Sequence, residues 1–222
     1  MDQLRALIFD LDGVIIDTEA LHAEAKRLTF ERYGIAVPER LYTEFRGRSD
    51  LDMVEHVVRE LAGGALSPAE VVGTKHDVFR TLHEKIAPVE GALEFIRLAR
   101  RRFERLALAT SATRENQAFA FEKFALRPFF DVVVTSEDIR RTKPHPDPYL
   151  KAAERLGLSP GACLVIEDST NGILSARAAG CAVAAITTSF SRDELKDARA
   201  DMMVDSFPEL ASLLAIDAGG AA

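Results

Sequence analysis

The chain is predicted to be an α/β protein, a doubly wound parallel sheet with a small α-helical domain inserted after its first strand. Three observations predict it. A short apolar run near the N-terminus ends in two acids and a glycine, Asp10-Leu11-Asp12-Gly13. Residues 38 to 87 carry helical periodicity only. From about residue 92 onwards helical and short apolar segments alternate strictly, the pattern of repeated strand–helix units whose sheet is covered on both faces.

Taken in order, Leu4–Phe9 reads as the first strand, apolar but for Arg5. Glu19–Tyr33 reads as a helix, with Thr18 as its N-cap and Gly34 just past its end. Pro38 restarts the chain. Arg40–Phe45, Leu51–Leu61 (capped by Ser49) and Pro68–Ile86 have helical spacing, joined by Arg46-Gly47-Arg48 and Ala62-Gly63-Gly64. A strand, then helices, then alternation marks an insertion. The sheet domain is therefore drawn as residues 1–16 and 88–222, and the helical one as 17–87. After Gly91 come helix Leu93–Phe103, strand Leu106–Ala109, helix Arg114–Phe124, strand Val132–Thr135, helix Pro148–Leu156 and strand Cys163–Ile166. Helix Asn171–Ala179, strand Ala182–Ile186, helix Ser191–Lys196, strand Met202–Val204 and helix Pro208–Leu214 complete the series. Right-handed crossovers put these helices on both faces of the sheet.

The 222 residues are 47% apolar and 28% charged, enough for a large core. A net charge of −7 argues against nucleic acid or an anionic membrane as partner. The basic run Arg100-Arg101-Arg102 with Arg105 falls where a helix should end, and cations there complement the helix dipole. Cys163 and Cys181 lie in apolar contexts and read as buried thiols rather than a disulfide framework. No targeting segment and no apolar stretch of membrane-spanning length is visible, so a cytoplasmic location is expected, and with it a monomer.

In an open α/β sheet ligands bind beyond the carboxyl ends of the strands. The first strand offers Asp10 and Asp12 there, and the second Thr110 and Ser111. The third, after its loop, leads to Lys143 in Lys143-Pro144-His145-Pro146, and the fourth to Glu167-Asp168-Ser169. Each piece alone has an ordinary structural reading. Asp12-Gly13 is a turn signal, Thr110, Ser111 or Thr113 a helix cap, Lys143 a solvated loop residue, and Glu167-Asp168-Ser169 the capped start of a helix. Jointly they make an inventory for phosphoryl transfer. Asp10 and Asp168, with Glu167 nearby, form a hard oxygen cluster suited to Mg2+. Asp10 can attack phosphorus. Asp12, two residues on and so on the same side of an extended chain, can protonate the leaving oxygen and then deprotonate water. Thr110 can hydrogen-bond the transferring phosphoryl group, and Lys143 can neutralise it and hold Asp10 ionised.

These residues resemble the haloacid dehalogenase superfamily of phosphohydrolases. Asp10-x-Asp12-Gly-Val, Thr110, Lys143-Pro-x-Pro and Glu167-Asp168-Ser169-x-x-Gly172 occur in that family's order and span the sheet domain from end to end. Within it the chain is most similar to the β-phosphoglucomutase and phosphoglycolate-phosphatase-like group. The resemblance implies a Rossmann-like core and Mg2+ held by Asp10, the main-chain carbonyl of Asp12, and Asp168, with Glu167 acting directly or through water. It implies Asp10 as nucleophile, Asp12 as acid and base, and Thr110 and Lys143 on the phosphoryl group. The helical insertion resembles the family's small cap, which closes over the site and excludes bulk water. Dehalogenation itself would need neither Mg2+ nor a second acid, so Asp12, Glu167 and Asp168 argue for phosphate.

The expected substrate is a small phosphorylated metabolite, a sugar phosphate. Its candidate contacts are Thr18, His22, Arg46, Gly47, Arg48, Lys75 and Ser111. His22 lies one helical turn past Thr18 and resembles the substrate-contacting His of the mutase-like group. Gly47-x-Ser49 resembles the substrate loop of the cap. Mutases of this group carry a basic residue after that serine, where this chain has Asp50, which favours hydrolysis over a hexose-phosphate mutase. Lys75 matches a basic cap position of the mutases and points the other way. For Arg46, Arg48 and Lys75 the ordinary alternative is a solvated helix end. A non-enzymatic phosphoacceptor of the receiver type also uses Asp, Thr, Lys and Mg2+. Receivers, however, are shorter, lack a cap and place no second acid two residues after the phosphoacceptor.

Overall fold

A computed structural model describes residues 4–46 and 49–216. The chain divides into two compact units, one formed by the residues up to Asp17 and from Ala87 on, the other by Thr18–Ile86.

The first unit contains strand β1 (Ala6–Phe9) and the two-residue β2 (Ile16–Asp17). The second holds helices α1 (Glu19–Arg32), α2 (Glu39–Glu44), α3 (Asp50–Leu61) and α4 (Pro68–Thr81). The chain then returns through β3 (Ala87–Pro88), α5 (Ala92–Arg102), β4 (Arg105–Ala109), α6 (Arg114–Lys123) and β5 (Val132–Val134). It continues with α7 (Asp147–Leu156), β6 (Cys163–Glu167), α8 (Thr170–Ala178), β7 (Ala182–Ile186), α9 (Arg192–Leu195), β8 (Met202–Val204) and α10 (Phe207–Leu213). Six strands form one sheet in the order β5-β4-β1-β6-β7-β8, every neighbouring pair parallel. This is the α/β, Rossmann-like architecture expected.

β1 lies in the sheet's interior between β4 and β6, and all four of its residues are fully buried. Burying residues such as Leu7, Ile8 and Phe9 is worth ~1.5–3 kcal/mol each, which pins the strand's position. Phe9 meets Phe95 and Phe130 edge-on at 6.1 and 5.7 Å. The first acid after this apolar run, Asp10, is thereby placed at the carboxyl edge. Pairing continues one residue past the strands. The Asp10 N–H donates to the Ile166 carbonyl at 3.1 Å, and the Thr110 N–H to that of Val134 at 3.0 Å.

The helical unit has its own core, built from Phe30, Leu41, Phe45, Met53, Val54, Val57, Val58 and Val71. Ser49 and Asp52 cap α3 reciprocally, as the sequence led us to expect of Ser49. Thr18 does not cap α1. Its backbone, at φ −122° and ψ −6°, is not in the extended conformation that aims an N-cap hydroxyl at the first turn, and its side chain makes no cap hydrogen bond. The helix expected over Pro68–Ile86 stops at Thr81. Beyond it Lys85 and Ile86 donate to Leu82 and His83, so the chain tightens into a 3-10 turn. The antiparallel pair β2–β3 was not legible, since two residues carry no periodicity.

Arg100, Arg101 and Arg102 lie in the last turn of α5, and Arg100 and Arg105 both reach Asp131, at 2.7 and 3.3 Å. Cys163 and Cys181 are buried thiols whose burial pushes their pKa up to about 11 and about 12, which leaves them chemically quiet. No helix among the described residues is long and apolar enough to cross a membrane.

Candidate active site

Asp10, Glu167 and Asp168 meet at the carboxyl ends of β1 and β6, all three buried, with one carboxylate oxygen from each lying within 4.8 Å of the others. Lys143, joined to Pro144 by a cis peptide bond, enters among them. Its ammonium donates to Asp10 Oδ1 and to Glu167 Oε1, both at 2.6 Å, with 8% of the side chain exposed. The solvated-loop alternative for Lys143 therefore does not hold.

Glu167 is the most tightly held of the acids. Its Oε1 accepts from Lys143 and from the Tyr149 hydroxyl, and its Oε2 from the Asp168 and Ser169 N–H groups and the Ser169 hydroxyl. Two oxygens offer about four lone-pair sites, and five donors use them. Burial works against its charge, but Lys143 and Tyr149 outweigh it and hold Glu167 below the usual carboxylate range. Two glycines make the closeness possible. A Cβ on Gly172 would lie 1.7 Å from Glu167 Oε1, and one on Gly13, at φ +75°, would lie 1.9 Å from Asp168 Oδ2.

Burial pushes Asp10 up, Lys143 opposes it, and the charges of Glu167 and Asp12 add to the rise, leaving its pKa at about 7. Asp168 is pushed well above its usual range by burial and by the charges of Glu167 and Asp10. Lys143 is held protonated, because the two acids outweigh its own burial. Lys143 favours the ionised form of Asp10, as expected of it, but divides its charge between Asp10 and Glu167. Among the described residues, three buried carboxylates face one buried ammonium, so two negative charges lack a partner when all three acids ionise. A divalent cation bound by oxygens fits that deficit and that donor set.

The remaining sheet-unit candidates lie along the same edge. Asp12 is half-buried in the tight loop where the Ile15 and Ile16 N–H groups return to the Leu11 carbonyl. Thr110 is buried, its hydroxyl accepting from the Ala112 N–H at 2.9 Å, and Ser111 beside it is exposed. The cap of α6 is Thr113, not Thr110 or Ser111. Ser169 caps α8, so the ordinary reading of Glu167-Asp168-Ser169 is also met.

The other candidates belong to the helical unit. Lys75 is buried within α4, not at a solvated helix end. Its ammonium lies 2.7 Å from Asp50 Oδ2 and 2.8 Å from His22 Nδ1. The His22 ring stacks on Phe79 with centroids 4.2 Å apart. Thr18 is buried, its carbonyl accepting from the His22 N–H. Arg46 lies 3.4 Å from Glu19 in an exposed ion pair, as its ordinary alternative has it. Gly47 and Arg48 lie outside the described residues.

Sequence reasoning missed three contributors. Thr188 donates to the Gly13 carbonyl, and the Ser189 hydroxyl hydrogen-bonds Asp168. Both follow β7, and reading residues 187–189 by the strand-end rule would have found them. Tyr149 was hidden by its apolar neighbours, which make it look like core.

The family model for haloacid dehalogenase-like hydrolases matches residues 7–186. The chain belongs to that family. Among curated proteins it is 35% identical to "Protein CbbY" of Rhodobacter capsulatus, over 86% of this chain and 89% of that one. It is 34% identical to the "Phosphorylated carbohydrates phosphatase" of Thermotoga maritima, over 80% and 82%. Among solved structures, CbbY of Rhodobacter sphaeroides in complex with phosphate superposes with a TM-score of 0.81 at 29% identity, covering 93% of this chain and 96% of that one. This haloacid dehalogenase-like protein is thus a hydrolase by family, with relatives named phosphatases.

Proposed function

We propose that this hydrolase is a Mg2+-dependent phosphatase of a small phosphorylated metabolite, a sugar phosphate, acting through an aspartyl-phosphate on Asp10. The observation that carries it is the buried set Asp10, Lys143 and Asp168, an oxygen nucleophile with an ammonium at 2.6 Å and an excess of acid beside it. Names of relatives support the substrate class, the Thermotoga maritima protein being named for phosphorylated carbohydrates.

Asp10 and Asp168 would hold Mg2+, with the Asp12 main-chain carbonyl, and with Glu167 through water because its own lone pairs are taken. When bound, the ion would screen phosphate from Asp10 and keep both acids ionised. Asp10 attacks phosphorus, the bond from phosphorus to the leaving oxygen breaks, and Asp12 gives that oxygen its proton. Asp12 then takes a proton from water as the water oxygen attacks phosphorus. The bond to Asp10 breaks, phosphate leaves, and the carboxylate is restored. Thr110 and Lys143 stabilise the transferring group, which asks for positioning and charge more than covalent chemistry. Substrate choice is assigned to Thr18, His22, Arg46, Gly47 and Arg48 of the helical unit and to Ser111, while Lys75 is taken up by Asp50.

Hydrolysis is favoured over mutase chemistry because Lys75, the cap cation that spoke for a second phosphate, already has Asp50 at 2.7 Å. The test is a screen with and without Mg2+ across sugar phosphates, phosphoglycolate, nucleotides and β-glucose 1-phosphate. A phosphatase releases one phosphate per substrate consumed. Isomerised sugar without free phosphate, dependent on a trace of bisphosphate, would overturn the assignment in favour of a mutase.

A further inference from the structure

We propose that Tyr149 is a positioning residue for phosphoryl transfer, its hydroxyl fixing Glu167 so that Glu167 in turn fixes the Lys143 ammonium against Asp10. The inference rests on the reading of Asp10 as nucleophile. Tyr149 and Lys143 come from one stretch of chain, six residues apart, and converge on the same atom. The Tyr149 hydroxyl and the Lys143 ammonium both donate to Glu167 Oε1 at 2.6 Å. The ammonium also lies 5.0 Å from the Tyr149 ring centroid, within cation–π range. Tyr149 is fully buried in the apolar cluster under the sheet, where phenylalanine would pack equally well. A hydroxyl there is costly unless bonded, and its bond is to the counter-ion of the catalytic lysine.

The role follows from what changes during the reaction. As Asp10 becomes an acyl phosphate it loses its carboxylate charge, while Glu167 keeps its own. Glu167 is therefore the constant anchor of Lys143 through both half-reactions. With its Oε2 held by three donors and its Oε1 shared by two, it cannot draw the ammonium further from Asp10. Without the hydroxyl, one Oε1 lone pair is released and the lysine shifts towards Glu167.

The experiment is a double-substitution cycle on Tyr149→Phe and Glu167→Gln, assayed by phosphate release. Tyr149→Phe keeps the ring and is expected to lower kcat about tenfold, with KM changed less than ~2-fold. Inhibition by orthovanadate, a mimic of the transferring group, should weaken in step with kcat/KM, while inhibition by inorganic phosphate should not. In the Glu167→Gln background Tyr149→Phe should have no further effect. Wild-type kcat in Tyr149→Phe, or an equal loss in both backgrounds, overturns the proposal. Should Tyr149→Phe fail to fold, Glu167→Gln alone must show the vanadate-selective loss, and wild-type kcat there overturns it too. Asp10→Asn in the same assay separates the two readings. If it turns over like wild type the nucleophile assignment falls, whereas a dead Asp10→Asn beside an unimpaired Tyr149→Phe removes only the role of Tyr149.

Discussion

Lys143 in the sheet unit and Lys75 in the helical unit are both buried ammoniums, 8% and 3% exposed, set among charges of opposite excess. Around Lys143, Asp10 and Glu167 share the cation and Asp168 stands beside them. Beside Lys75 stands the carboxylate of Asp50, which Lys26 approaches at 3.5 Å and His76 at 3.9 Å. Burial pushes both Asp10 and Asp50 up. At Asp50 the pull of Lys75 and Lys26 wins and brings its pKa down to about 2, whereas at Asp10 the neighbouring acids keep it at about 7. The same ingredients thus make a self-sufficient ion pair in one unit and, in the other, an acid excess suited to a bound cation. Burial raises both acids, and the balance of neighbouring charges decides where each comes to rest.

Removing the proposed nucleophile tests the comparison most severely. Asp10→Asn should lower phosphate release by ~10³-fold or more without unfolding the protein, and near-wild-type turnover would end its claim to chemistry. Asp12→Ala should cost ~10²–10⁴-fold, most with poor leaving groups, and the dependence of kcat on leaving-group pKa checks it. Gly172→Ala drives a Cβ into Glu167 and should cost ~1–3 kcal/mol in urea unfolding together with most activity.

The helical unit should respond differently. Because Asp50 titrates lower folded than unfolded, its contribution is present above about pH 4 and is lost as pH falls towards 2. Asp50→Asn should therefore cost ~2 kcal/mol at pH 7, with the gap closing between pH 4 and 2. A gap that persisted at pH 2 would mean that shape, not charge, is what Asp50 supplies. The smallest effect is expected at Gly73, within α4, where a Cβ meets nothing within 4 Å. Gly73→Ala should stabilise by ~0.5–1 kcal/mol, read as a raised Tm, with activity unchanged.

The strand Ala6–Phe9 and its terminal acids were legible because a continuous apolar run that stops at Asp10 is a local signal. Lys143 and Asp168 were legible by the same rule applied to later strands. Tyr149 and the burial of Lys75 were not, because each looks ordinary among its neighbours in sequence and acquires its meaning from a partner elsewhere in the chain. The side chain of Thr18 departed from expectation for a related reason. Residue type favours a cap, but the backbone angles that permit one are set by the path of the chain.

What the sequence by itself determined is the order of the elements and the chemistry offered at each strand end, since periodicity and apolar runs act over a few residues. Only the tertiary structure decided which acids share a cation. Lys143 and Asp10 are 133 residues apart in the chain and 2.6 Å apart in space. Coulombic attraction and desolvation depend on that second distance, so the charge balance around each buried acid exists only once the chain has folded.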